Sequence, residues 1–227
     1  MVNFISLGGW CGTKIALKDA GLFDKPSLPF DDVRTSIEGV IDCIENDFRN
    51  YFPKEIKKDV RFPNWIGFVG DYVGFYHKEH DLFDKKVIES FERKIRRFGD
   101  SVKENNCVFL RTVVRDNEID QYKRLQAVID ERFPGISYII CFIIPNQDNT
   151  QYYKNLDDRT FLFTLNDKTR DDDNESIGDY TPIFNFIKSK NLFVDIPVSN
   201  DIILQPVSSR IWLVDGHPMV NKHSEPF

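Results

Sequence analysis

The chain has 227 residues, a length that favours one domain (1–227) with long loops over two. Hydrophobic residues make up 41% of it and aromatic residues 14%, enough for a sizeable core, and a formal charge of −6 argues against a surface built to hold nucleic acid. A local basic pocket for a phosphate or a sugar nucleotide remains compatible with that charge.

No stretch reaches the roughly 18 apolar residues of a membrane span, and the first residues lack the basic start and apolar run of a secretory signal. Cys11, Cys43, Cys107 and Cys141 lie far apart without CxxC spacing, so they read as reduced thiols in a cytoplasmic protein.

In chain order, residues 2–7 read as a strand that ends at Gly8-Gly9. A short helix from Cys11 to Leu22 follows, closed by Gly21. Pro26 and Pro29 keep the next segment out of regular helix, and a second helix begins near Thr35 with Ile37, Val40, Ile41 and Ile44 on one face. The aromatic, proline-punctuated stretch 51–68 has no clear periodicity, and residues 71–76 resemble a short strand leading to His77 and His80.

Val87, Ile88, Phe91, Ile95, Phe98 and Val102 recur at helical spacing across residues 84–103. A strand from Cys107 follows, then a helix capped by Asp116 or Asn117 and ended by Pro134-Gly135. Strands are expected at 137–144 and 160–165 with a polar loop between them, then an acidic loop at 167–179 and a last helix from Thr181-Pro182. Apolar strands separated by amphipathic helices predict an α/β fold with a mainly parallel, Rossmann-like sheet covered on both faces. Residues 195–227 contain short strand-like pieces that the pattern does not place.

The first turn carries the chemistry. Gly8-Gly9-Trp10-Cys11-Gly12-Thr13 sets a thiol where a strand becomes a helix, and glycines there permit positive φ and close approach of a ligand. The amino end of a helix stabilises a thiolate, and its N–H groups, those of Gly12 and Thr13 here, can hold an oxyanion or a phosphate. The competing reading of Cys11 is a small residue packing a tight turn. The other three cysteines sit on apolar faces, where cysteine behaves as a small hydrophobe.

The strings Ser6-Leu7-Gly8-x-x-Cys11, Leu17-Lys18-x-x-Gly21-Leu22 and Ser27-x-Pro29-Phe30-Asp31 resemble the opening of the DUF1796 domain family, for which a papain-like cysteine peptidase activity has been suggested. That resemblance continues in His80-Asp81 and in the helix from Phe91 to Phe98, and it implies a cysteine peptidase-like role. It also has a departure, because Asp32 stands where the family tends to carry Trp. The strand–helix alternation after residue 84 predicts a Rossmann-like sheet rather than a papain-like one.

A nucleophilic Cys11 needs a base and a group that orients the base. His80 is the leading base, with His77 as its substitute, and Asp81, or else Asp31 or Asp32, is the orienting group. His77-x-x-His80 has no evident third metal ligand, so no metal site is expected. Val214-Asp215-Gly216-His217, with Leu165-Asn166-Asp167, resembles blocks of SGNH-type esterases, although the spacing from Asp215 to His217 is one residue short. Arg93, Lys94, Arg96 and Arg97 read as a solvated helix face. Arg111 and Arg115, at a strand-to-helix junction, could clamp an anion, or could pair with Asp116 or Glu118. Asp171, Asp172, Asp173 and Glu175 read as an acidic loop rather than a cation site.

Three functions follow from these residues. The first is a cofactor-free cysteine hydrolase or acyl-transfer enzyme acting on a peptide or glycan, in which Cys11 attacks a carbonyl and His80 moves the proton. The second is a glycosyltransferase or other nucleotide-sugar enzyme that binds a diphosphate, with or without a divalent cation, between the Gly8-Gly9 turn and Arg111. The third is a non-catalytic binding module in which Cys11 is structural. Oligomeric state is not legible in the pattern.

Overall fold

The computed structural model describes residues 2–23, 26–54, 68–77, 80–104, 106–167, 178–189, 211–214 and 217–220. Its centre is a five-stranded sheet. Strand β1 (Val2–Ser6) pairs in parallel with β5 (Asn106–Thr112), β5 with β6 (Tyr138–Ile144), and β6 with β8 (Thr160–Thr164). At the far edge β7 (Gln151–Asn155) runs antiparallel to β8, giving the order β1-β5-β6-β8-β7. The mainly parallel α/β sheet expected from the apolar runs is present. The polar segment expected as a loop before residue 160 instead contains β7, whose five residues are all half-buried. An edge strand with only part of each face covered lacks the continuous apolar run that marks a central one.

All seven residues of β6 are buried, and the alternation of a pleated strand sends them to two cores. Tyr138, Ile140, Phe142 and Ile144 join Phe109 and Ile5 in one cluster. That cluster takes in α2 (Ile37–Glu45), α3 (Lys85–Glu104) and α4 (Tyr122–Arg132). Ile139, Cys141 and Ile143 join Val108 and Leu110 in the other, covered by α1 (Gly12–Asp19) and α5 (Thr181–Ser189). The protein is therefore layered helix–sheet–helix, as a parallel sheet requires for burial of both faces.

Caps set the helix limits. The Ser36 hydroxyl accepts from Gly39 N–H at the start of α2. Helix α1 ends at Gly21, φ +64°, with Gly21 N–H donating to Lys18 O and Leu22 N–H to Leu17 O. The helix expected from Asp116 opens as a 3₁₀ segment, Asp116–Gln121, and becomes α-helical only at Tyr122. A small antiparallel sheet joins β2 (Arg34–Thr35), β4 (Val73–Phe75) and β3 (Phe68–Val69), and β9 (Ile211–Val214) pairs antiparallel with β10 (His217–Val220). Among the described residues no helix is long and apolar enough to cross a membrane.

Candidate functional site at the first turn and the β1 edge

Strand β1 feeds the turn through Leu7, whose N–H donates to Leu110 O, and Thr112 N–H donates to Gly8 O. Gly8 and Gly9 take φ +74° and +96°, conformations that an L side chain rarely adopts. A Cβ on Gly9 would collide with the Thr112 carbonyl, and one on Gly12 with the Trp10 indole. All three glycines are buried. Gly9 is required by close packing against the end of β5, Gly8 by the Phe30 backbone and Thr35, and Gly12 by the Trp10 ring.

Beneath the turn the buried Thr13 hydroxyl meets Thr112 Oγ1 at 2.7 Å and Tyr180 Oη at 3.3 Å, and Trp10 also bonds the Tyr180 hydroxyl. That knot ties α1 to the end of β5 and to the residue before α5.

Cys11 occupies the N-cap position of α1 with helical φ/ψ (−71°, −15°), and its carbonyl accepts the first helical bond, from Ile15 N–H. It is half-buried, whereas Cys43, Cys107 and Cys141 are buried. Burial drives the Cys43 and Cys141 thiols far above their ordinary range.

Lys14, three residues on from Cys11, shares its helix face. Its ammonium donates to Ser27 Oγ at 2.7 Å and Asp32 Oδ1 at 2.6 Å. The other oxygen of Asp32 accepts from Lys94 of α3 at 3.0 Å, and Arg97, one turn further along α3, donates to Ser27 O at 2.8 Å. Since α1 and α3 lie on opposite faces of the sheet, this chain of ion pairs joins the two layers on the side of the edge strand β1. Lys94 and Arg97 thus turn inward, unlike the wholly solvated face read from the sequence, while Arg93 and Arg96 stay exposed. Their spacing of three, in step with Phe91 and Phe98, was the available signal. The two cations near Asp32 hold its carboxyl at about 2, although burial alone would raise it.

Asp31 and His80 flank the same cations. Asp31 is buried, with Oδ2 accepting from Leu28 N–H at 2.7 Å and Oδ1 lacking a partner among the described residues. Burial raises its carboxyl to about 7, against the lowering effect of the Leu28 bond and Lys14. The His80 ring packs edge-on against Phe75, Phe91 and His77, and its Nδ1 is buried without a partner among the described residues. Burial first, then His77 and Lys94, lower it to about 3. A protonated His80 beside a thiolate is therefore not what these surroundings favour.

Asp81 does not orient His80 through a side-chain bond; its Oδ1 accepts from Phe83 N–H and serves the turn into α3.

Arg111 sits near the end of β5, where it was expected. It is fully buried and directs four of its five donors at the protein: Nε and Nη2 to Glu118, Nη1 to Leu7 O, Nη2 to Thr35 O. Glu118 in turn accepts from Ile37 N–H and Val114 N–H. The pairing with Glu118, the other reading of this arginine, is the one realised, and no clamp for an anion is left there. Arg115 is half-buried and provides the N-cap of the 3₁₀ segment.

His217 opens β10, opposite Val214, while Asp215, Asp171, Asp172, Asp173 and Glu175 lie outside the described residues. Asp167 Oδ1 accepts from Asn146 N–H, and Asn166 donates to Asp148 O, so both brace the ends of β6 and β8. Among the described residues no group of three or more His, Cys, Asp or Glu side chains is placed to hold a metal ion.

A family model described as "Putative papain-like cysteine peptidase (DUF1796)" matches residues 2–148. The chain belongs to that family. No curated protein and no solved structure matches it. The DUF1796 span contains Cys11, Lys14, Asp31, Asp32, His80, Lys94 and Arg97, and it ends just beyond β6. Strands β7 and β8, helix α5 and the Tyr180 hydroxyl lie past it. The central sheet is parallel in four of its five strands, as the strand–helix alternation predicted.

Proposed function

We propose that this chain is a cysteine-dependent hydrolase or acyl-transfer enzyme whose nucleophile is Cys11. The observation that carries the reading is the partial exposure of Cys11 at the amino end of α1, when the other three thiols are enclosed in the cores. In the proposed reaction the Cys11 sulfur bonds to a carbonyl carbon and the carbonyl oxygen becomes an oxyanion. The N–H groups of Gly12 and Thr13 precede the first helical bond and are of the type that stabilises such charge. Collapse breaks the bond to the leaving group, and water or another acceptor then releases the acyl group as acid, ester or amide.

Proton transfer near neutrality works best with a group whose pKa is near 7. Asp31, at about 7, fits that role, and His80, at about 3, does not. We therefore assign proton transfer to Asp31 and a lining role to His80. The inward commitment of Arg111 to Glu118 favours this reading over a nucleotide-sugar enzyme.

The test is acyl transfer from p-nitrophenyl acetate, followed by peptide mass spectrometry. An acetyl group on Cys11, absent in Cys11→Ala and formed about a hundredfold more slowly in Asp31→Asn, is expected. Acetylation spread evenly over the four cysteines would count against the proposal.

A further inference from the structure

Among the described residues, three buried polar atoms around the Lys14–Asp32–Lys94 bridge have no hydrogen-bond partner: Asp31 Oδ1, His80 Nδ1 and Arg97 Nε. Folded proteins pair nearly all such atoms, so three together mark a place whose complement is missing. Charge points the same way. Lys14, Lys94 and Arg97 are cations, and Asp32 is the ionised carboxylate between the two lysines. Burial keeps Asp31 and His80 largely uncharged at slightly acid pH, leaving positive charge in excess. The Lys94 ammonium lies 4.2 Å from the centroid of the Phe91 ring, the ring against which His80 also packs, so cation and imidazole share one wall. Only 12% of the Lys94 side chain and 21% of the Lys14 side chain is exposed, so the field here is weakly screened.

We propose that this cluster binds an oxyanion, the carboxylate or phosphoryl group of the substrate, with Lys14, Lys94 and Arg97 as donors and Asp32 as the resident counter-charge. Lys14 lies one helical turn from Cys11, about 5 Å along the axis, so the bound group would sit beside the thiol rather than at it. The inference rests on the Cys11 reading for its role as a substrate anchor, whereas the binding itself does not require the thiol.

That independence sets the experiment. Full-length protein carrying Cys11→Ser is titrated calorimetrically with inorganic phosphate and, separately, with N-acetylglycine. The proposal expects saturable one-to-one binding of at least one of them. Tighter phosphate identifies a phosphoryl group, and tighter N-acetylglycine a carboxylate. Lys94→Gln is expected to weaken the binding about tenfold, and the exposed Arg96→Gln to leave it within about twofold. Asp32→Asn is expected to tighten it about threefold, because the competing carboxylate is gone. Lys14→Gln, expected to act as Lys94→Gln does, replaces any variant whose circular dichroism shows misfolding. Absence of saturable binding of both anions overturns the proposal and leaves the cluster as an internal staple holding ordered water. Equal weakening by Lys94→Gln and Arg96→Gln also overturns it, because a diffuse surface field would then explain the binding. Loss of Cys11 acylation in the native chain with anion binding intact would sink the hydrolase reading alone.

Discussion

At the scale of single residues, Asp31 and His80 are neighbours pushed in opposite directions by the same surroundings. The Asp31 carboxyl is raised from 3.8 to about 7 by burial. Its proton-linked stability is therefore complete below about pH 4 and is lost as pH rises through 7. Relative to Asp31→Asn, the wild-type protein is expected to lose up to ~4 kcal/mol between pH 4 and 8, measured by urea unfolding at each pH. A constant difference across that range would show that Asp31 is ionised throughout. His80 is lowered from 6.5 to about 3, so its contribution is present above 6.5 and is lost as pH falls toward 3. His80→Phe, which keeps the ring against Phe75 and Phe91, is expected to reduce acid sensitivity below pH 6; unchanged acid unfolding would refute the burial of a neutral imidazole. The sequence pointed to both residues, but it favoured His80 as the base. Residue type gives the ordinary pKa of a histidine, and only the packed rings of Phe75 and Phe91 reveal how far it is displaced.

Among elements, the junction of β5 with the 3₁₀ segment is held by Arg111 and Glu118, both fully buried and paired at 2.6 Å. The pair reaches Leu7, Thr35, Ile37 and Val114, so it joins β1, β2, α2 and β5 at one point. Removing one member of a buried pair strands the other charge, so Arg111→Met is expected to cost about 3–5 kcal/mol in chemical denaturation. A cost below 1 kcal/mol would imply that water reaches Glu118. Gly9→Ala, at φ +96° and against the Thr112 carbonyl, is expected to cost more than about 1 kcal/mol by the same measurement. Long periodic elements such as α3 and the apolar strand β6 were legible because a single burial pattern governs every residue in them. The edge strand β7 was not, since its half-covered residues Gln151, Lys154 and Asn155 read as a polar loop. A sequence shows that Lys94 and Arg97 flank a helix's apolar stripe but not that Asp32 and Ser27 wait on the other side.

Across the whole molecule, two helix layers are separated by the sheet and brought together beside β1 by the 26–33 segment. Pro29 O accepts from the buried Tyr51 hydroxyl at 2.5 Å, and Phe30 packs against Phe48, Tyr51 and Phe98, which fixes that crossing. Its position explains why a thiol on one layer and lysine and arginine side chains on the other belong to one region of the surface. Layering follows from apolar periodicity, but the strand order and the meeting around an edge depend on long-range contacts that no local pattern encodes.

The central claim is that Cys11 is the reactive thiol of this fold. Native protein is treated with limiting iodoacetamide across pH 5 to 9, and the alkylation rate at each cysteine is followed by peptide mass spectrometry. Cys11 is expected to be modified at least about a hundredfold faster than Cys43, Cys107 or Cys141, with appreciable rate below the ordinary thiol pKa of about 8.5. Alkylation of Cys11 no faster than Cys43, or only above pH 8.5, would contradict it.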